Sequence, residues 1–128
     1  MKLLLDTCTF LWMIAAPDHL SDLARTTIEN SADKLLLNQA SAWEIQIKYQ
    51  KGDLQLNAPP KQVIERALEV YPIKYENICD EAIWHLQKLP DIHKDPFDRL
   101  LISHALTQGY KLVTPDHQIL KYPVPVIW

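Results

Sequence analysis

Three times in this chain a lysine leads into a short, unbroken apolar run: KLLLD at residues 2–6, KLLLN at 34–38 and KLVTPD at 111–116. None of the three alternates apolar with polar residues, so none suits a sheet with one wet face. Such a run is satisfied as a strand covered on both sides, which is the situation of a parallel sheet between helices. The segments between them carry helical patterns. Thr9–Ala15 is followed by Pro17-Asp18, and Ser21 reads as the N-cap of DLARTTIEN. SAWEIQIKYQ runs from Ser41 to a stop at Gly52, and VIERALEV reads as a further helix. CDEAIWHLQKLP is expected to be capped by Asp80, and the clearest helix runs from Asp95 to Gly109. YPIKY and the closing PVPVIW carry prolines that suit edge strands. Parallel strands joined by helices require right-handed crossovers, with helices on both faces of the sheet. The expected fold is therefore one α/β domain over residues 1–128.

Composition agrees with a packed domain and removes several alternatives. The chain has 128 residues, 48% of them apolar, enough for a real core. No apolar run approaches the roughly 18 residues that cross a bilayer. MKLLLDTCTFLWMIAA begins like a signal peptide, but Asp6 interrupts it after three leucines, so it is expected to belong to the mature protein. Cys8 and Cys79 make neither a disulfide framework nor a zinc motif, which points to a reducing, cytoplasmic setting. With a net charge of −3, the chain has no general electrostatic attraction for nucleic acid. Any such partner must be held by local basic groups or by bound cations.

The acids are more specific. Asp6 ends the first strand, and Asp116 follows the LVT run by two residues, so both are expected at the carboxyl edge of the sheet. Helices of such a fold begin at that edge, and Glu44 and Asp98 are each expected in the first turn of one. Each acid also has a plainer reading. Ser41-Ala-Trp-Glu44 matches a capping box, and Asp95-Pro96 matches an N-cap followed by proline at N1. Asp98 suits a helix dipole and Asp116 a turn, but a carboxylate placed directly after buried leucines requires strong partners. His93, His104 and His117 are expected to be structural or solvent-exposed.

Convergence favours a site. Two like charges about 4 Å apart repel by about 4 kcal/mol at an effective dielectric near 20. Four carboxylates at one rim must therefore take up protons, splay apart or bind cations. Oxygen-only donors suit Mg²⁺ or Mn²⁺. The chemistry expected of such a site is phosphodiester hydrolysis by activated water, a second ion roughly 3.5–4 Å from the first steadying the leaving oxygen. Asp6 is expected as the central ligand, Asp98 and Asp116 as further ligands, and Glu44 as a ligand through water or as the group that orients it. In-line attack leaves a 5′-phosphate and a 3′-hydroxyl.

LLLDT at 3–7, SAWEI at 41–45, DPFDRLLISHA at 95–105 and LVTPD at 112–116, in this order and spacing, make the chain resemble the PIN-domain family and, within it, the VapC-type toxins. The resemblance runs nearly end to end. It implies an α/β/α sandwich and a Mg²⁺-dependent endoribonuclease, commonly a homodimer, restrained by a small VapB-like antitoxin. It maps the family acids onto Asp6, Glu44, Asp98 and Asp116, and places Thr7 and Thr114 where hydroxyls steady the site. Asp95 belongs to the DPFDR form, and Cys8 departs from the small or imidazole side chains common at its position. Lys48, Lys51, Lys94 and especially Arg99 are candidate phosphate contacts, though each also reads as ordinary surface charge. Trp12, Trp43 and Trp84 are expected mainly in the core, with one or two free to anchor a partner. Two alternatives stay open: a non-catalytic RNA- or protein-binding module, and a DNA nuclease of the same architecture. A phosphatase of the haloacid dehalogenase type is disfavoured, because Asp6-Thr-Cys-Thr-Phe10 lacks the second acid of DxDxT and its final hydroxyl.

Overall fold

The computed structural model describes residues 1–31 and 34–128. Its sheet comprises β1 (Leu3–Leu5), β2 (Leu35–Asn38), β3 (Ile73–Glu76), β4 (Lys111–Val113) and β5 (Val126–Ile127), in the order β3-β2-β1-β4-β5. Every pairing is parallel, with Leu3 opposite Leu35 and Lys111, and Leu4 opposite Leu36 and Leu112. The proline-bearing segments supply the two edges, where a missing N–H donor costs no ladder bond.

Among the described residues, six α-helices accompany the strands: α1 (Thr7–Ala15), α2 (Asp22–Glu29), α3 (Gln39–Gln50), α4 (Pro60–Val70), α5 (Asp80–His85) and α6 (Pro96–Gln108). Side chains of a strand alternate between faces, so consecutive leucines serve opposite layers. Leu3, Leu5, Leu35 and Leu37 pack with Phe10 and Met13 of α1, Ala24 of α2, and Ile64 and Ala67 of α4. Leu4, Leu36 and Leu112 pack on the other face with Ala82 of α5 and Leu101, Ile102 and Ala105 of α6. This is the three-layer α/β/α sandwich expected from the buried runs. Each leucine so enclosed contributes about 1.5–3 kcal/mol relative to exposure. Helix α3 crosses between the layers, with Ala40 in one core and Ile45 in the other.

Several boundaries differ from the sequence reading, those of α1 and α3 for one shared reason. Strands β1 and β2 pass into helices without a loop, and the strand's flanking residue caps the helix. Asp6 accepts from the Thr9 N–H, so α1 starts at Thr7 and not at Thr9. Asn38 accepts from the Ala40 N–H at 2.8 Å, so α3 starts at Gln39. Ser41 then lies inside the helix, the Ser41–Glu44 capping box does not form, and Glu44 falls in the second turn. Helix α5 is capped by Cys79 without a side-chain bond, and Asp80 is its first residue instead of its cap. Ser21 caps α2 as expected, and Gly109, at φ +75°, ends α6 in the left-handed conformation that glycine adopts freely.

Candidate active site

The strand order reverses between β1 and β4: the chain lays β2 and β3 on one side of β1, then β4 and β5 on the other. Open α/β sheets offer a crevice at such a switch point, beyond the carboxyl ends of the strands. Asp6 leaves β1 there, and Thr114 and Asp116 leave β4. The joint is stitched by the Asp6 N–H and the Thr9 hydroxyl, both donating to the Val113 carbonyl, at 3.2 and 2.9 Å.

Asp6 is buried and fully engaged. Its Oδ1 accepts from the Thr9 N–H at 2.7 Å and its Oδ2 from the Thr114 hydroxyl. Burial pushes its carboxyl above the usual range, against the pull of these bonds. The Thr114 hydroxyl in turn accepts from the Asp116 N–H at 3.1 Å, which ties the second acid to the first. Glu44 is also buried, one turn further along α3 than expected. The Thr7 hydroxyl donates to its Oε1 at 2.6 Å, and Lys48, four residues on, meets its Oε2. This order of Glu and Lys along a helix is the favourable one. The Thr7 and Thr114 hydroxyls thus each donate to one of the acids.

Asp98 and Asp116 meet through a residue expected to be structural or exposed. His93 Nε2 lies 2.9 Å from Asp116 Oδ2 and 3.0 Å from Asp98 Oδ2. These ligand atoms lie close enough together to share one metal ion. Asp95 is the N-cap of α6, its Oδ1 accepting from the N–H groups of Phe97 and Asp98. That cap swings His93 back over the first turn of α6, and the HxDPFD spacing was the signal for it. Burial, followed by the charges of Asp95 and Glu44, pushes the Asp98 carboxyl up to about 7, while His93 pulls it down. Among the described residues, seven of the eight oxygens of the four acids have a donor within 3.0 Å, and the eighth is Asp98 Oδ1.

The site therefore has two arms, Asp6 with Glu44 and Asp98 with Asp116. They are within electrostatic reach, since both Glu44 and Asp6 raise the Asp98 carboxyl. Hard oxygens, those of Asp6 and Glu44 buried and those of Asp98 and Asp116 partly exposed, fit a divalent cation. Asp95→Ala is expected to cost about 1 kcal/mol through the lost cap, read as a lower denaturant midpoint.

Arg99 is half-buried and engaged by the chain itself. Its guanidinium donates to the carbonyls of Pro90 and Leu86 and to the Tyr122 hydroxyl, at 2.9, 3.2 and 3.2 Å. It fastens the segment that carries His93, and Arg99→Met is expected to destabilise the chain by about 1–2 kcal/mol in urea unfolding. Lys48 is committed to Glu44. Both cysteines are free, and the Cys8 thiol, pushed up to about 11 by burial and then by Asp6 and Glu44, stays protonated. It lines a cavity of about 420 Å³ with Thr7, Trp12, Glu44 and Lys48. Trp43 and Trp84 are not in the core: they are 54% and 67% exposed, Trp43 standing edge-on to Phe97. Among the described residues, no helix is long and apolar enough to cross a membrane.

The family model for the PIN domain matches residues 3–125. Ribonuclease VapC22 of Mycobacterium tuberculosis (strain ATCC 25618 / H37Rv) is 30% identical over 129 residues, covering 98% of this chain and 97% of that protein. Among solved structures, DNA-bound VapBC from Salmonella typhimurium superposes with a TM-score of 0.72 at 16% identity, covering 98% of this chain and 96% of that one. FitAcB from Neisseria gonorrhoeae superposes with a TM-score of 0.67 at 14% identity, over 98% of this chain and 96% of the other. At these identities the superpositions speak for the fold.

Proposed function

Because this chain belongs to the PIN-domain family, in its VapC-type branch, we propose that it is a Mg²⁺-dependent endoribonuclease and the toxin of a toxin–antitoxin pair. The observation that carries the reading is the set of four acids, drawn from four separate segments to one switch point. Such a set has no structural use that would repay its mutual repulsion. Its relative VapC22 is named a ribonuclease, which favours RNA over DNA as the polymer.

Asp6 and Asp98 are the central ligands in this reading, with Asp116 completing the set. When bound, a divalent ion, Mg²⁺ or Mn²⁺, supplies Lewis-acid polarisation of the phosphate and of water. The chain's residues supply position. Thr9 and Thr114 hold both oxygens of Asp6 in place, and Thr7 holds Glu44 so that its carboxylate orients the attacking water. Lys48, half exposed beside Glu44, offers its charge to the RNA backbone as well as to that acid. Attack in line with the leaving 3′-oxygen yields a 5′-phosphate and a 3′-hydroxyl.

The solved neighbours are VapBC and FitAB assemblies, which supports a VapB-like antitoxin as partner. Exposed Trp43 and Trp84 suit a homodimer or antitoxin contact, where aromatic side chains anchor best. The two free thiols support a reducing, cytoplasmic setting for this activity. The purified chain is expected to cut single-stranded RNA in Mg²⁺, to stop in EDTA, and to leave DNA of the same sequence intact. Undiminished RNA binding after chelation, with no cleavage under any condition, would reveal a binding module instead. Preferential cutting of the DNA would reassign the substrate.

A further inference from the structure

His93 has no part in the mechanism above, yet it sits where two of the acids meet. Its Nε2 lies 2.9 Å from Asp116 Oδ2 and 3.0 Å from Asp98 Oδ2. The ring is fixed from behind. The Asp95 N–H donates to Nδ1 at 3.2 Å, so Nδ1 presents its lone pair and the proton is on Nε2. The His93 N–H donates to the Tyr122 hydroxyl at 2.8 Å, and Tyr122 is only 4% exposed. Arg99 holds the same hydroxyl from the other side. A histidine that ligates a metal donates its second ring N–H to an acceptor. Here the second nitrogen is itself the acceptor, the reverse arrangement.

We infer that His93, through its Nε2–H, takes the place of a second cation between Asp98 and Asp116, so that the site binds one divalent ion and not two. The inference rests on the metal-dependent reading of the same site. A proton donor held at hydrogen-bond distance from two carboxylates supplies the positive end their spacing requires. An ion shared by the same two oxygens would face that N–H directly. Asp98 Oδ1, which lacks a donor among the described residues, remains available on the other side of the carboxylate. His93 is thus a positioning residue: it aligns two acids and limits the metal count.

Counting ions tests this apart from activity. Mn²⁺ is titrated into the metal-free full chain, and free Mn²⁺ is read by its EPR signal. The parent is expected to saturate at one ion per chain, His93→Ala at two, and His93→Gln, whose amide restores an N–H, at one. Pulsed EPR of the parent's bound Mn²⁺ is expected to show no directly coordinated imidazole nitrogen. Two ions on the parent, one on His93→Ala, or a nitrogen coupling that disappears in His93→Gln would each overturn the inference. If His93→Ala does not fold, the parent's ion count and nitrogen signal decide alone. A parent that binds two ions and cuts RNA refutes only this inference. A parent that binds none and cuts nothing refutes the nuclease reading with it.

Discussion

Asp98→Asn is expected to lower Mg²⁺-dependent RNA cleavage roughly 10²-fold or more while raising the thermal stability of the metal-free chain at pH 8. The two effects have one origin. Asp98 lies in the first turn of α6, largely buried, with its carboxyl pushed up to about 7 by burial and by Asp95 and Glu44. Ionising it without a cation therefore costs stability, and the amide removes that charge at nearly constant shape. The same charge is what a divalent ion would bind. A structural acid would behave oppositely, its loss lowering stability and leaving cleavage intact. Cleavage rates in Mg²⁺, paired with melting curves in EDTA, separate the two, and parental activity in the Asn variant would remove Asp98 from the site.

In EDTA, the stability of the parent chain is expected to fall, relative to Asp98→Asn, as the pH rises from about 4 to about 7. The sign follows from proton counting. Asp98 titrates near 3.8 when unfolded and near 7 when folded, so between these values the folded state binds more protons. Stability must then decrease with pH through that window and level off above it. Asp6, also raised by burial, has the same sign but is present in both proteins and cancels from their difference. A shift of about three units corresponds to ~4 kcal/mol in full. The Asp98 side chain is 18% exposed. Solvent therefore screens part of the effect, and about 2 kcal/mol, roughly 6–10 °C in melting temperature for a chain of this size, is expected. Adding Mg²⁺ at pH 8 should restore most of the loss in the parent and little in the variant. Identical pH slopes for the two proteins would show that the Asp98 carboxyl is not perturbed.

How far the sequence could be read varied along the chain. The leucine runs identify buried strands because an unbroken apolar stretch has no other stable place. The same logic placed acids at strand ends, since the residue after such a run is the first that can be polar. Asp95 was legible as a cap because capping is decided within four residues. Helix α3 was misplaced because Asn38 and Ser41 are both good caps, and only the end of pairing between β2 and β3 selects Asn38. The surface position of Trp43 and Trp84 was illegible for a related reason: an aromatic residue is buried only if another element covers it, and nothing local shows which one does.

What the amino-acid sequence determined alone was local: periods, caps, breaks, and the layered α/β/α arrangement that short buried strands demand. Whether Asp6 and Asp116 share a crevice depended on β4 pairing with β1, a contact between residues more than a hundred positions apart. The placing of His93 between Asp98 and Asp116, and the engagement of Arg99 by the chain itself, likewise awaited the packing of α6 and the segment before it on the sheet. Hydrogen bonds within one turn of chain are set by the residues in that turn. Contacts across the fold are set by strand order, which no single segment encodes.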